Sequence, residues 1–161
     1  MRALVVTCSN RAAAGVYPDR SGPLLVDGLA GLGFDVDGPL VVPDGEPVEA
    51  ALREAVLAGY DAVLTTGGTG LSPTDQTPEM TRRVVDREVP GIAESLRAYG
   101  TSAGVPAAAL SRGVAGLAGT TLVVNLPGST GGCRDGFAVL RPALAHALEL
   151  LADAPTAHEQ T

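Results

Sequence analysis

Thr66-Gly67-Gly68-Thr69-Gly70 is followed by Asp75 and then by Thr77-Pro78-Glu79, an order of residue types that suits an anionic ligand. Glycines let the backbone take positive φ and leave N–H groups uncovered, so such a turn can cradle a phosphate. The apolar run Ala62-Val63-Leu64-Thr65 ahead of it has the length of a strand. Thr77 as N-cap and Pro78 at the first helical position predict a helix start just after Asp75. Taken singly, each part has a plainer explanation, since Gly-Gly marks many tight turns and Thr-Pro-Glu many helix caps. Hydroxyls, N–H groups and an acid gathered in one stretch point instead to a ligand site.

Composition removes most other chemistries. The chain contains no lysine, every one of its 11 cations being arginine. That excludes a Walker A phosphate loop and Schiff-base chemistry, so phosphate must be met by backbone N–H groups, arginine or a metal ion. His146 and His158 are the only histidines, and Cys8 and Cys133 are far apart. A zinc centre, a Ser-His-Asp triad and a disulfide framework therefore have little to draw on, and the cysteines read as small core or loop residues. A net charge of −7 opposes binding to a nucleic-acid backbone or an anionic membrane. No segment has the length of a membrane span and the N-terminal apolar run is too short for a signal peptide, which predicts a soluble cytoplasmic protein.

The elements that must position these residues alternate along the chain as in an α/β sandwich with a mostly parallel sheet. Strands are expected at 3–8, 36–42 (interrupted at Gly38-Pro39), 62–65 and 120–125, and a further one is considered at 107–111. Helices are expected after Ser21-Gly22-Pro23, with Leu25, Leu29 and Leu32 on one face, and after Asp44-Gly45, with Val48, Leu52 and Val56. Others are expected over 80–88, over 92–99, and through the stripe Phe137, Leu140, Leu144, Leu148, Leu151. By length, residues 1–152 form one domain and 153–161 a flexible tail. Loops that follow parallel strands emerge at one sheet edge, so Asn10, Asp44, Thr66, Gly67, Asp75 and Ser129 are expected to converge on one crevice. A helix cap is the alternative role for Asp44.

Those residues resemble a known family. Gly15 to Pro23, Pro43-Asp44, Thr65 to Gly70, Asp75 to Glu79, Pro90-Gly91, Leu110 to Arg112 and Asn125-Leu126-Pro127-Gly128-Ser129 are similar in order and spacing to the MogA/MoaB-type molybdopterin adenylyltransferases of molybdenum cofactor synthesis. The resemblance implies a three-layer α/β sandwich and adenylation of molybdopterin by Mg-ATP, with release of pyrophosphate. It also implies a homotrimer and hand-over of the product to a molybdenum insertase. It carries the two important acids onto Asp44 and Asp75, also the expected Mg²⁺ ligands. It carries nucleotide and pterin contacts onto Ser9, Thr66, Gly67, Gly68, Thr69, Gly70, Glu79, Asn125, Pro127, Gly128 and Ser129. The sequence departs from the pattern at Asn10, where many members have Asp, and at Thr130-Gly131-Gly132, where a proline usually follows the serine.

That chemistry agrees with the residues read unaided. Nucleotidyl transfer to a phosphate brings anions together, and Asp44 and Asp75 are suitable hard-oxygen ligands for a magnesium that keeps several waters. The acceptor phosphate is already nucleophilic, so the acids act as metal holders and positioners rather than as bases. A non-catalytic pterin-binding or oligomeric accessory protein on the same scaffold is the alternative. A nicotinamide dehydrogenase fails on the glycine spacing.

Overall fold

A computed structural model describes residues 1–152; the expected flexible tail at 153–161, with His158, lies outside them. The chain runs β1 (Arg2–Cys8), α1 (Asn10–Ala13), α2 (Ser21–Ala30), β2 (Asp35–Val42), α3 (Glu46–Leu57), β3 (Ala62–Thr66), α4 (Thr77–Arg82), β4 (Arg87–Glu88), α5 (Pro90–Ser102), a 3-10 turn (Pro106–Leu110), β5 (Ala115–Ala118), β6 (Thr121–Leu126) and α6 (Thr130–Ala152). The sheet order is β2-β1-β3-β6-β5-β4. The first four of these strands are mutually parallel, while β5 runs antiparallel to both β6 and β4.

Strand periodicity divides the core into two layers. Ala3, Val5, Ala62, Leu64, Leu122 and Val124 face Leu25 and Leu29 of α2 and Leu140, Leu144 and Leu148 of α6. Leu4, Val6, Val63 and Val123 face the other way, onto Val48 and Leu52 of α3 and Met80 of α4. Successive side chains of a strand point to opposite faces, so near-continuous apolar runs are what a sheet covered on both sides requires. The α/β sandwich expected from the alternation of patterns is the fold observed. Among the described residues no helix is long and apolar enough to cross a membrane.

The structure corrects several expected elements. The helix expected over 80–88 ends at Arg82, and Arg87–Glu88 instead pair with Gly116 and Leu117 of β5. Residues 107–111 are not a strand; Pro106–Leu110 form the 3-10 turn. Thr77 is the first residue of α4 and Gln76 its N-cap, one position earlier than the Thr-Pro pair predicts. α5 extends to Ser102. The expected break at Gly38-Pro39 is a register shift inside a continuous β2.

Candidate active site

Chain order places the site. β1 lies between β2 and β3, so the connections leaving β1 and β3 diverge, and in open α/β sheets such a switch point opens a crevice at the carboxyl ends of the strands. A crevice of about 660 Å³ lies there, lined by the ends of β1 and β3 and by Ser9, Asn10, Asp44, Gly67, Gly68, Asp75 and Gly128.

The two carboxylates enter it differently. Asp44 Oδ1 accepts from Gly45 N at 2.7 Å and from Thr77 Oγ1 at 3.0 Å, and Oδ2 accepts from Gln76 N at 3.0 Å. With roughly two acceptor positions on each oxygen, Asp44 keeps one free. It ties the β2–α3 turn to the residues that open α4, but it caps neither helix: among the described residues no side chain caps α3 or α4, and its contacts there are the N–H of the N-cap Gln76 and the hydroxyl of Thr77. Asp75 Oδ2 accepts from Ser72 N at 3.2 Å, and no donor to Oδ1 is found among the described residues. Asp75 therefore has the greater free oxygen capacity. It does not cap α4, because Thr77 N donates to Gly68 O at 3.2 Å. One or two carboxylates with room for phosphate oxygens and water fit Mg²⁺, and among the described residues no cluster of three or more His, Cys, Asp or Glu competes for a metal.

The glycine segment has the backbone its composition requires. Gly67 and Gly68 take φ of 95° and 64°, values that side chains disfavour. A Cβ on Gly67 would strike Cys8 O, and one on Gly68 would strike Asp44 Oδ2 and Thr77 Oγ1. Gly67 N is used by Leu126 O at 3.1 Å, whereas the N–H groups of Gly68, Thr69 and Gly70 find no intramolecular acceptor among the described residues. On the neighbouring loop a Cβ at Gly128 would lie 3.1 Å from Gly67 Cα, so the two glycine loops meet backbone to backbone. Ser129 Oγ accepts from Gly132 N at 3.0 Å and caps α6, leaving the first N–H groups of that long helix beside the crevice. The hydroxyl of Thr66 faces the protein, donating to Pro127 O at 2.8 Å.

The expected site residues thus fall into groups. Ser9, Asp44, Thr66, Gly67, Gly68, Asp75 and Gly128 line the crevice. Thr69, Gly70, Asn125, Pro127 and Ser129 line a second cavity of about 380 Å³ on the other side of the glycine loops, walled by Leu96, Val105 and Leu110. Asn125 is buried with its amide engaged: Nδ2 donates to Thr65 Oγ1 at 3.0 Å and Thr81 Oγ1 at 2.9 Å, and Oδ1 accepts from Val114 N at 3.1 Å. It ties β6 to β3, α4 and the start of β5. Glu79 lines neither cavity; it pairs with Arg112, and its buried Oε2 finds no partner among the described residues. Burial pushes its acidity down, but the hydrogen bond and charge of Arg112 and the charge of Arg82 win, holding its pKa below the usual carboxylate range.

Other residues at the site were given no role from sequence. Asp19 accepts from Thr7 Oγ1 at 2.6 Å and from Ser21 N and Gly22 N at 3.1 and 3.0 Å, which occupies the N-terminus of α2. Its position just ahead of Ser21-Gly22-Pro23 is the capping signal that could have found it. Arg11 and Arg20 are the cations of the crevice; Arg11 stacks on Tyr17 at 4.9 Å, and Tyr17 Oη lies 3.0 Å from Ser9 Oγ. The one-turn helix α1, capped by Ser9, is not among the elements expected from sequence. Neither cysteine is a nucleophile here: both are buried, and burial pushes the Cys8 thiol up to about 12 and raises that of Cys133.

The family model described as a probable molybdopterin binding domain matches residues 4–146. The chain belongs to that family. The molybdopterin adenylyltransferase of Pyrococcus furiosus is 34% identical over 149 residues, covering 90% of this chain and 88% of that protein. A solved structure of MogA has a TM-score of 0.91 and 52% identity, with 94% of this chain and 99% of that one covered. The bifunctional molybdenum cofactor biosynthesis protein of Chlorobaculum tepidum is 40% identical over 152 residues, 93% of this chain and 48% of the relative. The chain spans about half the length of the bifunctional relatives it matches. The resemblance and the fold read from the sequence are both borne out. Asn10, read from the sequence as a departure from the family pattern, has a visible contact in the fold: its Oδ1 accepts from Asp44 N at 3.0 Å. An amide oxygen does that as well as a carboxylate and adds no charge beside Asp44 and Asp75.

Proposed function

We propose that this chain adenylates molybdopterin with Mg-ATP, forming molybdopterin-AMP and pyrophosphate. The observation that carries the reading is the meeting of Asp44, Asp75 and two uncovered glycine loops at one sheet edge. A phosphate oxygen of molybdopterin attacks the α-phosphorus of ATP, a new P–O bond forms, and the α–β bridging bond breaks with its electron pair leaving on pyrophosphate. No base is needed, because the acceptor phosphate arrives ionised. N–H groups of Gly68, Thr69, Gly70 and the α6 N-terminus take up phosphate charge, as preorganised dipoles do in transition states. Asp75 and the open position on Asp44 would hold Mg²⁺, which supplies further charge neutralisation and orients the triphosphate. Thr130, where the family usually has proline, adds a backbone N–H at that helix end.

Two cavities sharing the glycine loops suit a reaction between two bulky substrates. The reading includes residues 1–152 as one catalytic domain, a homotrimer, a cytoplasmic location, and hand-over of the product to a metal-inserting protein. The test is incubation of the purified protein with molybdopterin, ATP and Mg²⁺, with adenylylated pterin and pyrophosphate as the expected products. Bound molybdopterin with no product would replace this reading by that of a non-catalytic pterin-binding protein.

A further inference from the structure

We infer that Arg112 is the positioning residue for Asp75, acting on the backbone of its loop rather than on a ligand; the inference rests on the adenylation reading above. Arg112 stands just before β5 and grips the 69–79 segment at four places. Its N–H donates to Thr69 O at 2.8 Å, Nε to Gly70 O at 2.7 Å, Nη2 to Asp75 O at 2.6 Å, and Nη1 to Glu79 Oε1. One side chain therefore holds both ends of the exposed turn Leu71-Ser72-Pro73-Thr74 and braces it against α4.

Asp75 needs that grip. Among the described residues its carboxylate has a single long contact, from Ser72 N, within its own turn. A Cβ at Gly70 would lie 2.7 Å from Asp75 Oδ2, so the carboxylate folds back over a glycine whose carbonyl Arg112 holds. The direction of the free oxygen of Asp75 is thereby fixed through Gly70 O and Asp75 O. A guanidinium can meet two carbonyls and a carboxylate at once because its donors form a rigid planar fork; an ammonium carries the same charge without that geometry. Glu79 completes the arrangement by fixing the fork from the α4 side. Arg112 also borders a cavity with Arg82 and Arg97, but Arg82 is paired with Glu88 at 2.8 Å and Arg97 donates to Gly113 O at 3.1 Å, so its cations are already engaged within the protein.

The experiment compares Arg112→Lys, Arg112→Gln, Asp75→Asn and the double variant Arg112→Lys/Asp75→Asn with the parent. Single-turnover adenylation is measured against Mg²⁺ concentration, together with molybdopterin affinity and amide hydrogen exchange over residues 70–76. Arg112→Lys is expected to lower the rate about tenfold or more, raise the Mg²⁺ requirement and leave molybdopterin affinity within about twofold, on the scale of a displaced catalytic group. The Ser72, Asp75 and Gln76 amides should exchange faster. In the Asp75→Asn background the same change should cost less than about twofold, because residues that act as a unit are not additive. Parental rate and Mg²⁺ dependence in Arg112→Lys would overturn the inference. So would a loss in the double variant equal to the product of the single losses. If the parent does not adenylate at all, the adenylation reading fails instead, and exchange decides the positioning separately: unchanged protection in Arg112→Lys refutes it. Should Arg112→Gln not fold, Arg112→Lys and Glu79→Gln carry the comparison.

Discussion

Asp75 and the glycines make opposite demands on a substitution. Asp75→Asn preserves size and the contact from Ser72 N, and Asp75 caps no helix, so folding should be unaffected. The expected result is a fall in single-turnover adenylation of about 100-fold or more, comparable to removing one preorganised electrostatic group, with molybdopterin still bound. An unaltered rate would end the assignment of Asp75. Gly67→Val has the reverse signature. From sequence alone it should abolish ligand binding and spare the fold, but its Cβ would meet the carbonyl of Cys8 inside the sheet edge. Strain of this kind costs about 1–3 kcal/mol, so a lowered Tm is expected along with lost binding. A variant with parental Tm would show that the loop yields more easily than its packing implies.

At the scale of elements, the sequence was most legible where patterns were long. β1, β3 and β6 read as apolar runs because both faces are covered, and α2, α3 and α6 as stripes because one face is. Where the local signal was weak, tertiary pairing decided. Val84 and Val85 continue the helical appearance of α4, yet they pack under the second layer while Arg87 and Glu88 turn to pair with β5. β5 itself is Ala-Gly-Leu-Ala, with too little hydrophobic contrast to show a period. Site contacts followed the same rule: Asp44 and Asp75 were visible beside glycines and turns, whereas the grip of Arg112 on residues 69–79 spans a separation no local pattern records. The ion pair of that grip gives a pH prediction. Glu79 titrates lower in the folded chain than in the unfolded one, so its stabilising effect is present above the ordinary glutamate range, about 4.3, and is lost as pH falls through its folded value. The Tm difference between the parent and Glu79→Gln should therefore be largest near neutrality and vanish in acid. A difference constant from neutral to acid pH would show that the charge of Glu79 contributes nothing.

At the scale of the whole molecule the unresolved demand is a covered apolar edge. Tyr99, Val105 and Leu110 are 43%, 48% and 54% exposed, and they surround the alanine-rich 3-10 turn next to the second cavity. A chain this acidic, with so few aromatic residues, gains little by leaving them in water. Packing between identical subunits in any closed ring would cover them on every copy, and the number three is what the family resemblance implies. The expected species by sedimentation at micromolar concentration is a trimer, three times the 16.2 kDa chain. Leu110→Glu places a charge on that edge without touching either core layer, so it should shift the protein toward monomer while leaving its circular dichroism unchanged. A parent that sediments as a monomer would rule out the trimer, and a Leu110→Glu variant that stays trimeric would move the contact away from this turn.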